Sequence, residues 1–310
     1  MSRNTKKLWW VCKDTIDGWS DHRALRLGAS LAFYTIFAIA PLFLIALALA
    51  GLMFGEQAAR RQLFDQLNGL LGQQGSEAVQ AVVASAKRPA ASAWATVAAI
   101  ATLMIGATGT FVELQDALNT IWQVRRKPGG TIRHFVKDRL LSFAMILAIG
   151  FLLLVSLVVS AALVALGNSM NGFFSAGATV GHILNFVLSF ALITLLFAMI
   201  FRVLPDLKIP WRNTWLGAAL SALLFNLGKF ILGFYLAKSS ISSAYGAAGS
   251  LVVLLMWVYY SSQTLFLGAE FTRAYTKKFG GDVHLRRDTE LVRITETHTA
   301  QKTLRGAKEA

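Results

Sequence analysis

Tyr245-Gly246-Ala247-Ala248-Gly249-Ser250 opens a stretch that runs on through Leu251-Val252-Val253-Leu254-Leu255, Trp257, Tyr259 and Tyr260 and closes on Gly268-Ala269-Glu270. It is well above the roughly 18 apolar residues that mark a membrane-crossing helix. It starts on small residues, which let helices approach closely, and it ends on a carboxylate. At the angular step of an α-helix, Tyr259, Gln263 and Glu270 fall within about 40° of one another. One polar stripe therefore runs from mid-membrane to the helix end. Such a stripe faces protein or water. It either hydrogen-bonds neighbouring helices or lines a path for an ion or a lipid headgroup.

The rest of the chain agrees with a membrane setting. Of its 310 residues 55% are hydrophobic and 15% charged, and the mean hydropathy is +0.54. Soluble domains carry about 25% charged residues. The pattern predicts an all-α, polytopic integral membrane protein with six transmembrane helices, at about 27–54, 93–111, 140–166, 180–204, 215–236 and 247–271. Amphipathic interfacial helices accompany them. In residues 1–26, Leu8, Trp9, Cys12, Ile16 and Trp19 recur at helical spacing among Arg3, Lys6, Lys7, Lys13, Arg23 and Arg26. That helix either lies in the cytoplasmic interface or packs on the bundle ends. Pro41 frees the carbonyl of Phe37 and predicts a kink near the middle of the first span. Tyr34, four residues after Ser30, is expected to face other helices. Residues 55–92 read as two short amphipathic helices separated by Gly72 and Gly75. The basic tail 272–310 is polar and weakly patterned, and is expected to be partly disordered.

Charge fixes the expected orientation. Of the 30 Lys and Arg residues, 24 fall in segments 1–26, 112–139, 202–213 and 272–310, and only 5 in 55–92, 167–179 and 237–246. The positive-inside rule then places both termini in the cytoplasm. It also accounts for the net charge of +14 without nucleic acid, for which no binding motif is present. The single cysteine, Cys12, excludes an intramolecular disulfide. The histidines (His22, His134, His182, His284 and His298) show no ligand spacing, and no P-loop, zincin or nucleophile-elbow motif occurs. No catalytic residue, metal or cofactor is expected, and an ATP-driven pump on this single chain is excluded.

Ionisable groups inside spans are the candidate functional residues. Lys229 lies about 21 Å from the inner end of the fifth span, with Asn226 one turn away. It either snorkels to the outer interface, pairs with Asp65 or Glu77, or holds an anionic headgroup. Glu270 lies about 35 Å from the outer end of the sixth span, so a Lys229–Glu270 pair is mismatched in depth. Glu270 and Glu113 instead come out at the inner end with Arg202, Arg139 and Arg26. They are expected to form a carboxylate–arginine cluster that either fixes the helix ends or gates the cytoplasmic side.

Several stretches carry a family resemblance: Ser30-Leu31-Ala32-Phe33-Tyr34-Thr35 through Ala40-Pro41-Leu42; Leu118-Asn119-Thr120-Ile121-Trp122; Arg202-Val203-Leu204-Pro205-Asp206; and Tyr245-Gly246 with Gly249-Ser250, Trp257, Tyr259 and Gly268-Ala269-Glu270. Over about residues 10–275 the chain resembles the YihY/BrkB family. The resemblance implies a polytopic bacterial inner-membrane protein. Some members have been labelled "ribonuclease BN", but this chain lacks clustered metal ligands for such chemistry. The expected function is translocation of an anionic or amphipathic solute, lipid included, without its own ATPase. The alternative is a non-transporting envelope scaffold. The expected partners are the lipid bilayer, an anionic lipid or solute, and a second copy or another envelope protein.

Overall fold

Without water to satisfy them, backbone groups in a long apolar run bond within their own segment, which makes the run a helix. The computed structural model describes residues 3–86, 109–126, 177–238, 249–280, 284–285 and 289–291, and these are mostly helical. The helices are α1 (Arg3–Asp21), α2 (Ala24–Phe54), α3 (Glu56–Ala86), α4 (109–121), α5 (Gly177–Val203), α6 (Trp211–Lys238) and α7 (Gly249–Phe279). Among the described residues three segments are long and apolar enough to cross a membrane: Phe186–Val203, Trp211–Leu236 and Leu251–Phe279. Ala24–Ile39 of α2 is a shorter apolar helix. These helices correspond to the expected first, fourth, fifth and sixth spans. The third span, and the second apart from 109–111, lie outside the described residues.

The helix α7 packs against α1, α2, α3 and α6. Its seam with α6 is built from small residues four apart. A Cβ on Gly268 would collide with Ser221 and stand 3.0 Å from the Gly217 carbonyl oxygen. A Cβ on Gly217 would collide with Thr272, and one on Gly228 would enter the Tyr260 ring. The backbones are close enough for side chains of one helix to bond carbonyls of the other. Tyr260 donates to the Leu224 carbonyl (2.6 Å), and Ser221 to the Thr264 carbonyl (3.2 Å). Opposite this seam, α6 exposes Leu223, Leu227, Phe230, Ile231 and Phe234 between Trp211 and Trp215 at one end and Tyr235 at the other. Trp215 and Tyr235 stand about 30 Å apart along the helix, the thickness of a bilayer's hydrocarbon core.

At one end of the bundle, Gly55 takes φ 81° and joins α2 to α3. Here the expected pair of short helices needs correction. Residues 56–86 keep helical hydrogen bonding through Gly72 and Gly75. Yet Ser76 Oγ donates to the Phe64 carbonyl at 3.4 Å, and in a straight helix those residues would stand about 18 Å apart. Thus α3 bends sharply between them, around its glycines. Phe64 and Leu67 before the bend, and Ala78, Val79 and Val83 after it, bury against Phe43, Leu236, Val253, Leu254 and Trp257. Glycine inside a helix costs about 1 kcal/mol relative to alanine, and burial on both sides of the bend offsets that. The helix α2, in turn, stays helical through Pro41.

The opposite end, the base, carries the elements that the sequence reading left out. Among the described residues four short strands modify the all-α expectation: β1 (Val124–Arg126), β2 (Leu207–Lys208), β3 (His284–Leu285) and β4 (Thr289–Leu291). The strand β1 pairs antiparallel with β4, setting Arg125 opposite Glu290, and β2 pairs antiparallel with β3. Asp206, 4% exposed, ties the base together. Its carboxylate accepts from Asn119 Nδ2 (2.9 Å) and Gln115 Nε2 (3.4 Å), and its backbone N–H donates to Asn119 Oδ1 (2.9 Å). Thr289 Oγ1 donates to its carbonyl at 3.1 Å. The first part of the tail is therefore structured, with α7 reaching Phe279 and strands as far as Leu291; residues 292–310 lie outside the described ones.

Replacing Gly268 by alanine overpacks the α6–α7 seam, at a cost of about 1–3 kcal/mol. A Cβ on Gly233 meets nothing within 4 Å, so Gly233→Ala is expected to leave thermal stability unchanged or raise it. Thermal unfolding of the two variants in detergent checks the contrast.

Candidate functional site

At the base, α1 ends and the chain turns at His22 and Arg23 before α2 begins. His22 is 6% exposed and Glu270 of α7 is fully buried. His22 Nδ1 and Glu270 Oε1 are 2.5 Å apart. Glu270 Oε2 accepts from Arg273 Nε at 2.9 Å. Asp14 of α1 extends the group, with Arg273 Nη2 at 3.9 Å and Lys277 Nζ at 3.5 Å. Gln123 Nε2, just past α4, is 3.0 Å from His22 Nε2. The cluster thus clasps α1, the α1–α2 turn, the end of α4 and α7.

The local chemistry follows from burial. A carboxylate removed from water is costly unless paired and hydrogen-bonded, and Glu270 has a partner on each oxygen. With His22 Nδ1–H donating to Glu270, a neutral ring accepts from the Gln123 amide through Nε2. An imidazolium needs that amide turned so that its oxygen faces the ring. The clasp holds His22 through both ring nitrogens. The backbone accommodates it at a cost. Among the described non-glycine residues, only Arg23 (φ 53°) and Gln123 (φ 54°) are left-handed. One follows His22 and the other bonds to it. Such conformations cost of order 1–3 kcal/mol and persist where surrounding structure holds them. At Gly18 a Cβ would stand 2.6 Å from Glu270 Oε2 and collide with Arg273, so the absent side chain gives the charges their room.

The residues singled out from sequence fall into separate places. Glu270 is at the base as expected, but its partners are His22 and Arg273 rather than Arg202. The Arg202 guanidinium lies over the Trp211 ring, 5.1 Å from its centroid. Arg26 is exposed and Glu113 half-buried, and Arg139 lies outside the described residues. Gln263 Nε2 donates to the Ala24 carbonyl at 3.3 Å, in the space left by Gly28. The Gln263–Glu270 stripe thus faces the start of α2 and hydrogen-bonds there. Tyr259 is half-buried. Tyr34 is 39% exposed and meets Phe33 edge-on. Asn226 Nδ2 donates to the Ala222 carbonyl of its own helix at 2.8 Å. Lys229 is half-buried, roughly 150° around α6 from the centre of the exposed apolar stripe, with Nζ 5.8 Å from the Phe230 ring centroid. No group of three potential metal ligands occurs among the described residues.

His22, Gln123, Gly18 and Arg273 are not among the residues singled out from sequence. Arg273, three residues after Glu270, stands at a spacing that favours pairing on a helix and was legible. His22 and Gln123 reach Glu270 only through tertiary folding. His22→Ala leaves a buried carboxylate short of a partner and is expected to cost about 3 kcal/mol. Arg202→Ala removes a cation–π contact worth about 0.5–1 kcal/mol at an exposed site. Thermal unfolding of both variants checks the order; a larger loss for Arg202→Ala would count against the clasp.

The chain can be placed among known proteins. The sequence pattern of the family described as virulence factor BrkB matches residues 15–291. A UPF0761 membrane protein of Alkalilimnicola ehrlichii is 28% identical over 256 residues, covering 81% of this chain and 54% of that protein. One from Chromobacterium violaceum is 27% identical over 277 residues, covering 86% and 61%. One from Tolumonas auensis is 40% identical, but over 73 residues, 23% of this chain and 24% of that protein. The chain thus spans between half and two thirds of the length of the first two relatives. No solved structure matches it. With that family pattern covering most of its length, and with helices able to span a membrane, the chain is a membrane protein that belongs to the virulence factor BrkB family.

Proposed function

We propose that this protein crosses the bacterial inner membrane six times, with both termini in the cytoplasm, and translocates an anionic amphiphile without hydrolysing ATP. The observation that carries the reading is Lys229. It sits about 21 Å along α6 from Trp215, half-buried and turned away from the exposed apolar stripe. A half-buried cation at that depth, with its ammonium beside Phe230 at the edge of the stripe, is suited to receive a phosphate or carboxylate headgroup while the acyl part stays in an apolar setting. The His22–Glu270–Arg273 clasp then acts as the cytoplasmic closure, since a substrate leaving on that side passes the base.

A second reading, a non-transporting scaffold, is favoured by a different observation. Gln263, Ser221 and Tyr260 all bond to backbone carbonyls of neighbouring helices, which is how polar groups hold a static bundle together. Reconstitution separates the two. Liposomes holding the wild-type protein are expected to equilibrate a fluorescent anionic phospholipid or an anionic solute between their two sides. Lys229→Ala is expected to slow this at least about ten-fold, the loss of one charge-assisted contact of 1.5–3 kcal/mol. Absence of lipid, solute or proton movement under every imposed gradient would leave the scaffold.

A further inference from the structure

The helix α1 has two faces, and among the described residues only one packs against the rest of the protein. Val11, Thr15 and His22 are buried and Gly18 sits beneath the Glu270–Arg273 pair. On the other side Leu8 (54%), Trp9 (61%) and Ile16 (63%) are exposed, with Cys12 exposed among them. These four residues share an arc of about 100°. Lys6 and Lys13 are exposed along its edge, and Lys13 Nζ stands 5.8 Å from the Trp9 ring. Asp17 stands on the same margin as Lys6, Asp21 lies further round, and Asp14 is engaged by Arg273 and Lys277. The exposed face is therefore apolar, with a margin on which Lys6 and Lys13 outnumber Asp17, one turn after Lys13.

Its depth can be read from contacts. The helix α1 runs antiparallel to the end of α7: Gly18 lies against Glu270 and Arg273, Asp14 against Arg273 and Lys277, and Lys7 over the Phe279 ring. That end of α7 is level with the start of α6, because Asn213 Nδ2 donates both to Thr276 Oγ1 and to the Gly280 carbonyl, each at 3.2 Å. Leu8, Trp9, Cys12 and Ile16 therefore sit at the depth of Trp211 and Trp215, which are 46% and 41% exposed at the edge of the apolar stripe of α6. Tryptophan at one depth on two helices marks a membrane–water interface.

We infer that this outward face of α1 is a binding surface for the headgroup region of anionic phospholipids, with Ile16 nearest the acyl boundary, Trp9 about 10 Å further out among the headgroups, and Lys6 and Lys13 meeting the phosphates. The inference rests on the proposed topology for which leaflet is involved, but not for the lipid contact itself. Apolar area and cationic margin together are what an interfacial helix needs to select anionic lipid.

Cys12 is the chain's single cysteine and lies within the face, so an environment-sensitive fluorophore attached there reports on it directly. The labelled full-length protein is placed in vesicles of phosphatidylcholine, and of phosphatidylcholine with one part in four phosphatidylglycerol. A headgroup-linked nitroxide lipid is expected to quench the label. Quenching by the neutral aqueous quencher acrylamide is expected to fall roughly three- to five-fold when phosphatidylglycerol is added. The Lys6→Gln/Lys13→Gln variant is expected to lose that dependence, and Ile16→Ser to weaken nitroxide quenching. Acrylamide quenching equal in both lipids, or unaffected by the lysine variant, overturns the inference. Attack on Cys12 by a membrane-impermeant maleimide in intact spheroplasts would sink the topology, and the quenching result would still decide whether the face binds lipid.

Discussion

A carboxylate with no exposed surface has to be satisfied by protein, and Glu270 imposes that requirement on the base of this bundle. Its two oxygens draw His22 from the α1–α2 turn and Arg273 from one turn further along α7. Gly18 leaves the space, Gln123 completes the histidine, and two residues adopt left-handed backbone beside it. Desolvation makes the arrangement all or nothing: a half-satisfied buried charge is worse than none. The positions of α1 and of the end of α4 follow from where Glu270 stands.

Where Glu270 stands is set in turn by the seam between α6 and α7. In lipid, helices gain little from hydrophobic exclusion, so close backbone approach and interhelical hydrogen bonds hold them. Gly217, Ser221 and Gly228 on one side meet Thr272, Gly268, Thr264 and Tyr260 on the other. The same seam fixes the rotation of α6, exposing one apolar stripe and turning Lys229 away from it. Packing, charge satisfaction and the placement of a candidate substrate-binding cation are thus consequences of one helix pair.

Much of this was legible in the sequence and some was not. Long uncharged runs announce helices because backbone groups in lipid have no other partner, so α2, α5, α6 and α7 were foreseen. The carboxylate Glu270 low on the last helix was foreseen as well, though not that the helix runs nine residues past it, and so were the short motifs at Asn119 and Asp206, though not that they bond to each other. The partners of Glu270 were not. A histidine far away in sequence has no periodic signal, and counting arginines by topology pointed to Arg202, whose guanidinium stacks on Trp211 instead. The strands at the base were missed because pairs of two or three residues carry no pattern above background. The bend in α3 was half visible: the glycines predicted a break, while the hydrogen-bonded spiral continues through them.

The central structural claim is that Glu270 and His22 form one energetic unit. A double-mutant cycle of His22→Ala and Glu270→Gln, read by reversible unfolding in detergent, tests it most directly. The account predicts that the double variant is far less damaged than the sum of the singles, with a coupling of about 2 kcal/mol or more. Additivity within about 0.5 kcal/mol would show that the two residues act independently and would contradict the clasp.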